Sequence, residues 1–528
     1  MKEKKRIRER LIGMRDDLSP VEIDKRSDTI AEKLYSDYRF KKAETIFIFT
    51  SFGSEVDTHR IIEELLSMGR SVCIPKIMGK HLMAAVRIGS LEELRPNKFG
   101  ILEPLEGEEV APQEIDLIVV PGVAFDRRGY RIGYGGGFYD AFMSRVPEVD
   151  KIALAYDLQL IDRIDNESWD IRVDTLITES TTYHFKRIRE YGIVVGSMTP
   201  GPLNRITDVE GVLVGHTTID TQRNKTGVSL VIPSRENPFL HKLTASAYVL
   251  NGFGKTTGLI QLEELGQLES PIALTNTLCV GRVQDALVGH MIDSCTREGV
   301  EPISLNTVVA ECNDSYLNDI THRAIEEEHL LKAISNAYRD FSEGDVGGGK
   351  GMSCHSLKGG IGSASRIIKV GNREYTLGVL VQSNHGLLSD LTIGGRRIGK
   401  DIQEVLQTHD RVDKGSIITI IATDLPLTSR QLKRICKRAS VGMARTGSYM
   451  GHGSGEIVIG FSTANKKEHS GGDPIVEHTS LREDLMDLPF RGVGEAVEEA
   501  ILNSMVCSSR VEGVRGARET LTDFMYLI

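Results

Sequence analysis

The chain has 528 residues, of which 40% are hydrophobic and 26% charged, and its net charge at pH 7 is −10. The composition excludes a mainly disordered or collagen-like chain, and the length predicts about three to four domains. The acidic balance supplies no global basic field for nucleic acid.

In chain order, residues 2–16 read as a basic, helix-prone arm. Ser19-Pro20-Val21-Glu22 has the form of a capping box, with proline at the first helical position and a helix running on to about Tyr35. Ile46–Phe49 is a short apolar strand, and Asp57 to Met68 a helix closed by Gly69. Ser71–Pro75, Ile115–Val120 and Ile152–Ala155 read as buried strands. That alternation predicts an α/β fold for the first part: a three-layer domain with a mostly parallel sheet. Beyond it, helices are expected at 283–297, 320–341, 397–408, 428–446 and 490–506. Strands are expected at 212–218, 226–232, 363–370, 375–382, 416–423 and 455–462. Strands there follow strands through glycine-rich turns, which fits a sandwich of sheets flanked by helices. Glycine marks the seam, with 13 in positions 1–190 and 40 of the 53 beyond. The Pro/Gly/Ser stretch between Thr182 and Pro202 is the expected boundary.

The seven cysteines show no C-x-x-C pair and read as reduced thiols, neither a disulfide framework nor a zinc site. Charge stands where a signal peptide would be apolar. Leu117–Phe125, among the longest apolar stretches, is about half the length of a membrane span. A soluble cytoplasmic protein is expected, with no nucleic-acid or membrane partner.

Phe125 to Asp140 follows a buried strand and leads into a helix, with four glycines between Gly133 and Gly137. Backbone amides of such a loop approach an anion closely, and the helix start adds its positive dipole end. Arg131 offers a fork of donors for phosphate, and Asp140 suits magnesium. The pattern lacks the Gly-Lys-Ser/Thr of a P-loop. A turn that only permits tight packing is the other reading. The whole segment VVPGVAFDRRGYRIGYGGGFYD, with Lys4, Arg8, Glu55-Val56-Asp57-Thr58, FGILEP and Asp174, resembles the 5-formyltetrahydrofolate cyclo-ligases over about residues 1–185. Phe138 departs from a common tyrosine. The resemblance implies ATP contacts at Lys4, Arg8, Arg131, Gly133, Gly135, Gly136, Gly137 and Tyr139. It also implies a folate contact at Glu55 and magnesium at Asp140 and Asp174. The implied reaction is ATP-driven closure of 5-formyltetrahydrofolate to 5,10-methenyltetrahydrofolate.

Four short motifs mark the second part: Gly348-Gly349-Lys350-Gly351 running to Arg366, Val381 to Gly386, Lys414-Gly415-Ser416, and Gly451 to Glu456. Singly, each also reads as a turn. His385 and His452 read as structural, since no compact carboxylate–histidine pattern accompanies them. Together, with TPGPLNRITDVEGVLVGH, residues 313–319 and 416–434, they resemble the self-processing L-aminopeptidase/D-amidase-esterases of the DmpA type. That resemblance implies an α/β/β/α sandwich, also shared by ornithine acetyltransferases. It implies cleavage at Gly415–Ser416, with Ser416 as nucleophile and Asn384 on the oxyanion side. Ser454, Glu456 and Tyr316 would complete the site. A peptide-bound serine that attacks its own upstream carbonyl gains a free α-amine as base, the logic of N-terminal nucleophiles.

The expected organisation is a cyclo-ligase domain at 1–188, a linker at 189–200 and a peptidase domain at 201–528. Expected ligands are ATP, Mg2+, a folate, and a small peptide, amide or ester. The resemblance implies a homo-oligomer through the second domain. Two alternatives are an acyltransferase in the second domain, although those enzymes use threonine where this chain has Ser416, and a non-catalytic regulatory module in either half.

Overall fold

The structure is a computed structural model that describes residues 2–408, 415–470 and 474–528. Lys414, part of one motif above, lies outside the described residues. The chain divides into two compact units, Met1–Lys186 and Arg187–Ile528.

In the first unit, helix α1 (Lys2–Asp16) precedes α2 (Pro20–Ser36). The Ser19 hydroxyl accepts from Glu22 N at 3.3 Å, and Ser19 N donates to the Glu22 carboxylate at 2.9 Å, so the expected capping box closes. An eight-stranded sheet holds β1 (Thr45–Ile48), β2 (Ser71–Gly79), β3 (Leu82–Ile88), β4 (Glu109–Val110), β5 (Leu117–Val120), β6 (Asp150–Leu154), β7 (Thr175–Ile177) and β8 (Thr182–His184). Their order is β8-β7-β6-β5-β1-β2-β3-β4. The five strands from β7 to β2 are parallel, and the outer pairs antiparallel. The two-residue period sorts the core. Ile46 and Ile48 pack with α2 and α3 (His59–Ser67), while Phe47 faces Phe142 and Met143 of α4 (Phe138–Met143).

The second unit has two larger sheets. The four-stranded one runs β9 (Leu213–Asp220), β10 (Lys225–Ile232), β13 (Ile272–Asn276), β14 (Val308–Cys312). The six-stranded one contains β11 (His241–Gly252), β12 (Gln267–Leu268), β15 (Gly360–Val370), β16 (Arg373–Asn384), β17 (Ser416–Thr423) and β18 (Gly455–Glu468), in the order β12-β11-β18-β17-β16-β15. Val214, Val231 and Leu274 of the first sheet share a core with Leu380, Ile418, Ile420 and Ile459 of the second. Helices α5 (Val280–Arg297) and α6 (Glu327–Ser335) pack on the other face of the small sheet. Helices α7 (Ser429–Arg445) and α8 (Asp487–Val506) cover the other face of the large one.

The helix expected over 320–341 is broken. A turn at Ile320–His322 ends at Arg323, φ 51°, and α6 starts afresh at Glu327 behind its N-cap Glu326, whose N–H donates to His329 Nδ1 at 3.1 Å. Tyr338 then bridges Val214. The 189–200 segment packs within the second unit. Arg189 pairs with Glu499 at 2.7 Å, and the amides of Ser197 and Met198 donate to Glu495 at 3.0 Å each. Among the described residues no helix is long and apolar enough to cross a membrane.

Candidate functional sites

The glycine loop of the first unit is set by a short antiparallel pairing that places Phe125 opposite Arg131. The chain then passes Gly133–Gly137 and enters α4, with Gly137 as its N-cap. Arg131 donates from Nη1 to Asp140 Oδ1 at 3.1 Å and to the Ile171 carbonyl at 2.8 Å. Ile171 N returns a bond to Asp140 Oδ1 at 3.0 Å, so arginine and aspartate are held together beside the loop. Arg8 reaches the loop from α1, donating to the Gly133 carbonyl at 2.9 Å. Lys4 pairs with Asp170 at 2.8 Å. Tyr139 is partly buried, and its hydroxyl, shielded from solvent, has no hydrogen-bond partner among the described residues.

Glu55, 8% exposed, accepts from Tyr134 OH at 2.7 Å and from Phe52 N at 2.9 Å. Burial pushes its carboxyl above the usual range. Arg15 donates to Tyr134 OH at 2.7 Å, joining α1 to this pocket. Asp174 goes elsewhere. At the start of β7 its carboxylate accepts from Lys151 N at 2.8 Å, with the Lys151 ammonium 3.8 Å away. Burial raises its carboxyl too. As cation donors the two aspartates differ. Asp140 is a part-exposed oxygen donor beside the glycine loop, whereas the Asp174 carboxylate is committed to Lys151.

Sequence reasoning missed Arg15, Tyr134 and His81. Arg15 carried a signal, since positions 4, 8 and 15 lie on one face of a 3.6-residue helix. His81 carried none. It sits in the β2–β3 turn and donates from Nδ1 to the Gly136 carbonyl at 2.7 Å.

In the second unit the ladder assembles the site. Ser416, 5% exposed, opens β17, opposite Asn384 of β16 and Gly455 of β18. Its hydroxyl donates to the carbonyl of Gly415 at 2.7 Å. Gly455 N–H donates to that same oxygen at 3.2 Å. The Asn384 amide donates to the Asn313 carbonyl at 3.0 Å and accepts from Ser353 N at 2.7 Å. Ser454 donates to Glu456, and both are fully buried. Glu456 pairs in register with Ile417, so the strand alternation sets its side chain on the face opposite the Ser416 hydroxyl. Tyr316 connects to Asn384 indirectly. Arg518 lies 3.6 Å over its ring and donates to Ser353 Oγ at 3.1 Å, and Ser353 N donates to Asn384. Burial lowers the pKa of Arg518. Glu311, a further buried acid that sequence reasoning missed, accepts from Lys255 N at 2.8 Å and from Thr277.

Residues 204–519 match peptidase family S58, and residues 1–179 match the 5-formyltetrahydrofolate cyclo-ligase family. A beta-peptidyl aminopeptidase of Sphingosinicella xenopeptidilytica is 38% identical over 357 residues, covering 63% of this chain and 87% of that protein. The 5-formyltetrahydrofolate cyclo-ligase of Escherichia coli K12 is 34% identical over 152 residues, covering 27% of this chain and 82% of that enzyme. The solved L-aminopeptidase D-Ala-esterase/amidase of Ochrobactrum anthropi, described as a variant of the Ntn hydrolase fold, superposes with a TM-score of 0.60. It has 34% identity and covers 64% of this chain and 96% of that one.

Proposed function

The chain belongs to peptidase family S58 and, through its first unit, to the 5-formyltetrahydrofolate cyclo-ligase family, so it joins a cyclo-ligase to an aminopeptidase; we propose that the second unit matures by cutting itself at Gly415–Ser416. One observation carries that reading: the Ser416 hydroxyl and the Gly455 N–H both meet the Gly415 carbonyl oxygen. Attack of Oγ on the Gly415 carbonyl carbon builds negative charge on that oxygen, where Gly455 N–H stabilises it. The C–N bond then breaks, the Ser416 nitrogen keeps the pair and takes a proton, and water hydrolyses the resulting ester. The freed α-amine, with a pKa of about 7.7–8.0, serves as the base for the hydroxyl of its own residue. Asn384 donates to the oxyanion formed from substrate. Glu456, steadied by Ser454, acts on the amine rather than the hydroxyl, in keeping with its face of the sheet. Tyr316 shapes the pocket through Arg518. The substrate class is short peptides or amides with a free amino end.

In the first unit the proposed roles follow the loop. Gly133, Gly135, Gly136 and Gly137 amides, with Arg131, Arg8, Lys4 and Tyr139, hold the phosphates of ATP. Glu55 binds the folate. Asp140 fits magnesium, which would neutralise phosphate charge during transfer. The donor set of Asp174 does not join it. The formamide oxygen takes the γ-phosphoryl group as ADP leaves, the 10-nitrogen closes the ring, and phosphate departs.

We read the second unit as two sheets enclosed by helices, and infer a homo-oligomer through it from the family resemblance. Buried cysteines that form no disulfide among the described residues suit a reducing cytoplasm. Intact mass of wild type beside Ser416→Ala tests the central claim. Wild type is expected as pieces 1–415 and 416–528, and the variant as one chain; an uncut, fully active wild type overturns it.

A further inference from the structure

Among the described residues, Cys354, His355 and His385 each bring a ligand atom within 4.8 Å of the others, and all three are buried. None has a part in the chemistry above. Cys354 ends a short strand, and His355 and Ser356, at φ 48° and 59°, turn the chain back into Leu357–Lys358. His385 follows Asn384 directly. Cys354 Sγ lies 3.9 Å from His385 Nδ1, and the two imidazoles meet edge to face with centroids 5.5 Å apart.

Three details point to a ligand. His355 donates from Nδ1 to the Leu387 carbonyl at 2.8 Å, which fixes Nε2 as its lone-pair nitrogen, the orienting bond that ligating histidines use. His385 is 1% exposed, and its Nε2 has no hydrogen-bond partner among the described residues. Buried polar atoms are rarely left so. A Cβ on Gly386 would stand 2.5 Å from the His355 ring, so glycine there reserves the ring's position.

We propose that Cys354, His355 and His385 form a site for a soft divalent cation, zinc by the chemistry of its donors. A thiolate and two imidazoles match zinc, with water as the fourth ligand. Ligand atoms on tetrahedral zinc stand about 3.3–3.7 Å apart, so the cluster closes with movements of about 1 Å. On binding, the Cys354 thiol gives its proton to solvent. The ion would tie the 353–358 hairpin to the end of β16, fixing both Ser353 and Asn384. The site stands apart from the self-cleavage reading, because an uncut chain holds the same three ligands.

The test uses the full chain, stripped with chelator and titrated with Co2+. One equivalent is expected to bind, with tetrahedral visible bands and a thiolate-to-cobalt charge-transfer band. Cys354→Ser should lose the charge-transfer band, and His355→Asn should weaken binding about tenfold or more. Zn2+ should raise the unfolding midpoint of wild type and of Ser416→Ala, but not of Cys354→Ser. Circular dichroism confirms that each variant is folded, and Cys354→Ala replaces one that is not. Folded wild type that binds no cobalt, or spectra unchanged in Cys354→Ser and His355→Asn, overturns the proposal.

Discussion

A Cβ at position 415 would stand 2.1 Å from the carbonyl oxygen of Asn384 and 2.5 Å from the Cα of His385, so packing alone demands glycine before Ser416. Gly415→Ala is therefore expected to leave the chain uncut in the intact-mass measurement, even with Ser416 in place. Asn384→Ala should lower kcat on a short amide by about 10²–10³-fold, since it removes the proposed oxyanion donor. Stopped assays on material checked for maturation read this directly. A different residue sets a pH dependence. Burial raises the Asp314 carboxyl from 3.8 to about 7. The folded chain then holds a proton that the unfolded chain loses earlier. This contribution to stability is full below about pH 4 and fades as pH climbs to about 7, by at most about 4 kcal/mol. Denaturant melts of wild type and Asp314→Asn across that range should differ in slope.

At the scale of elements, a buried ion network anchors α8 to the large sheet. Arg366, fully buried on β15, donates to Glu495 at 3.1 Å and to Glu499 at 2.7 Å. Arg366→Met leaves the buried Glu495 without its counter-charge and Glu499 with Arg189 alone, a change worth about 3–5 kcal/mol. A lowered thermal midpoint for the second unit is the expected result. Elements were legible where the period was strong: the capped α2, the apolar β5, and the amphipathic α7. The 320–341 reading failed because apolar spacing continued past a residue, Arg323, whose backbone turns left-handed. Strand β11 was missed because its inward positions include Ala245 and Ala247, too small to mark a pattern. The Cys354–His385 pairing was invisible for another reason: its partners lie 31 residues apart and meet only because a hairpin folds back on β16.

For the whole molecule, the glycine gradient and the Pro/Gly stretch announced two units, and the contact division falls at Lys186–Arg187. What they could not announce was that residues 187–205 are held within the second unit by arginine, since Arg187, Arg189 and Arg205 find Glu343, Glu499 and Asp340 only in three dimensions. The residues proposed for the two chemistries are disjoint, so each variant should be silent in the other assay. Arg131→Ala should abolish ATP-dependent formation of methenyltetrahydrofolate and leave maturation intact, while Ser416→Ala should do the reverse.

The sheet order has one more consequence. Strands β17 and β18 lie at the centre of the six, with β11 and β12 on one side and β16 and β15 on the other. A nick ahead of β17 therefore yields a fragment clasped between two arms of its parent, like a tongue in a groove. Heavy- and light-isotope batches mixed after maturation should keep their original pairings in native mass spectra, and scramble only after denaturation and renaturation.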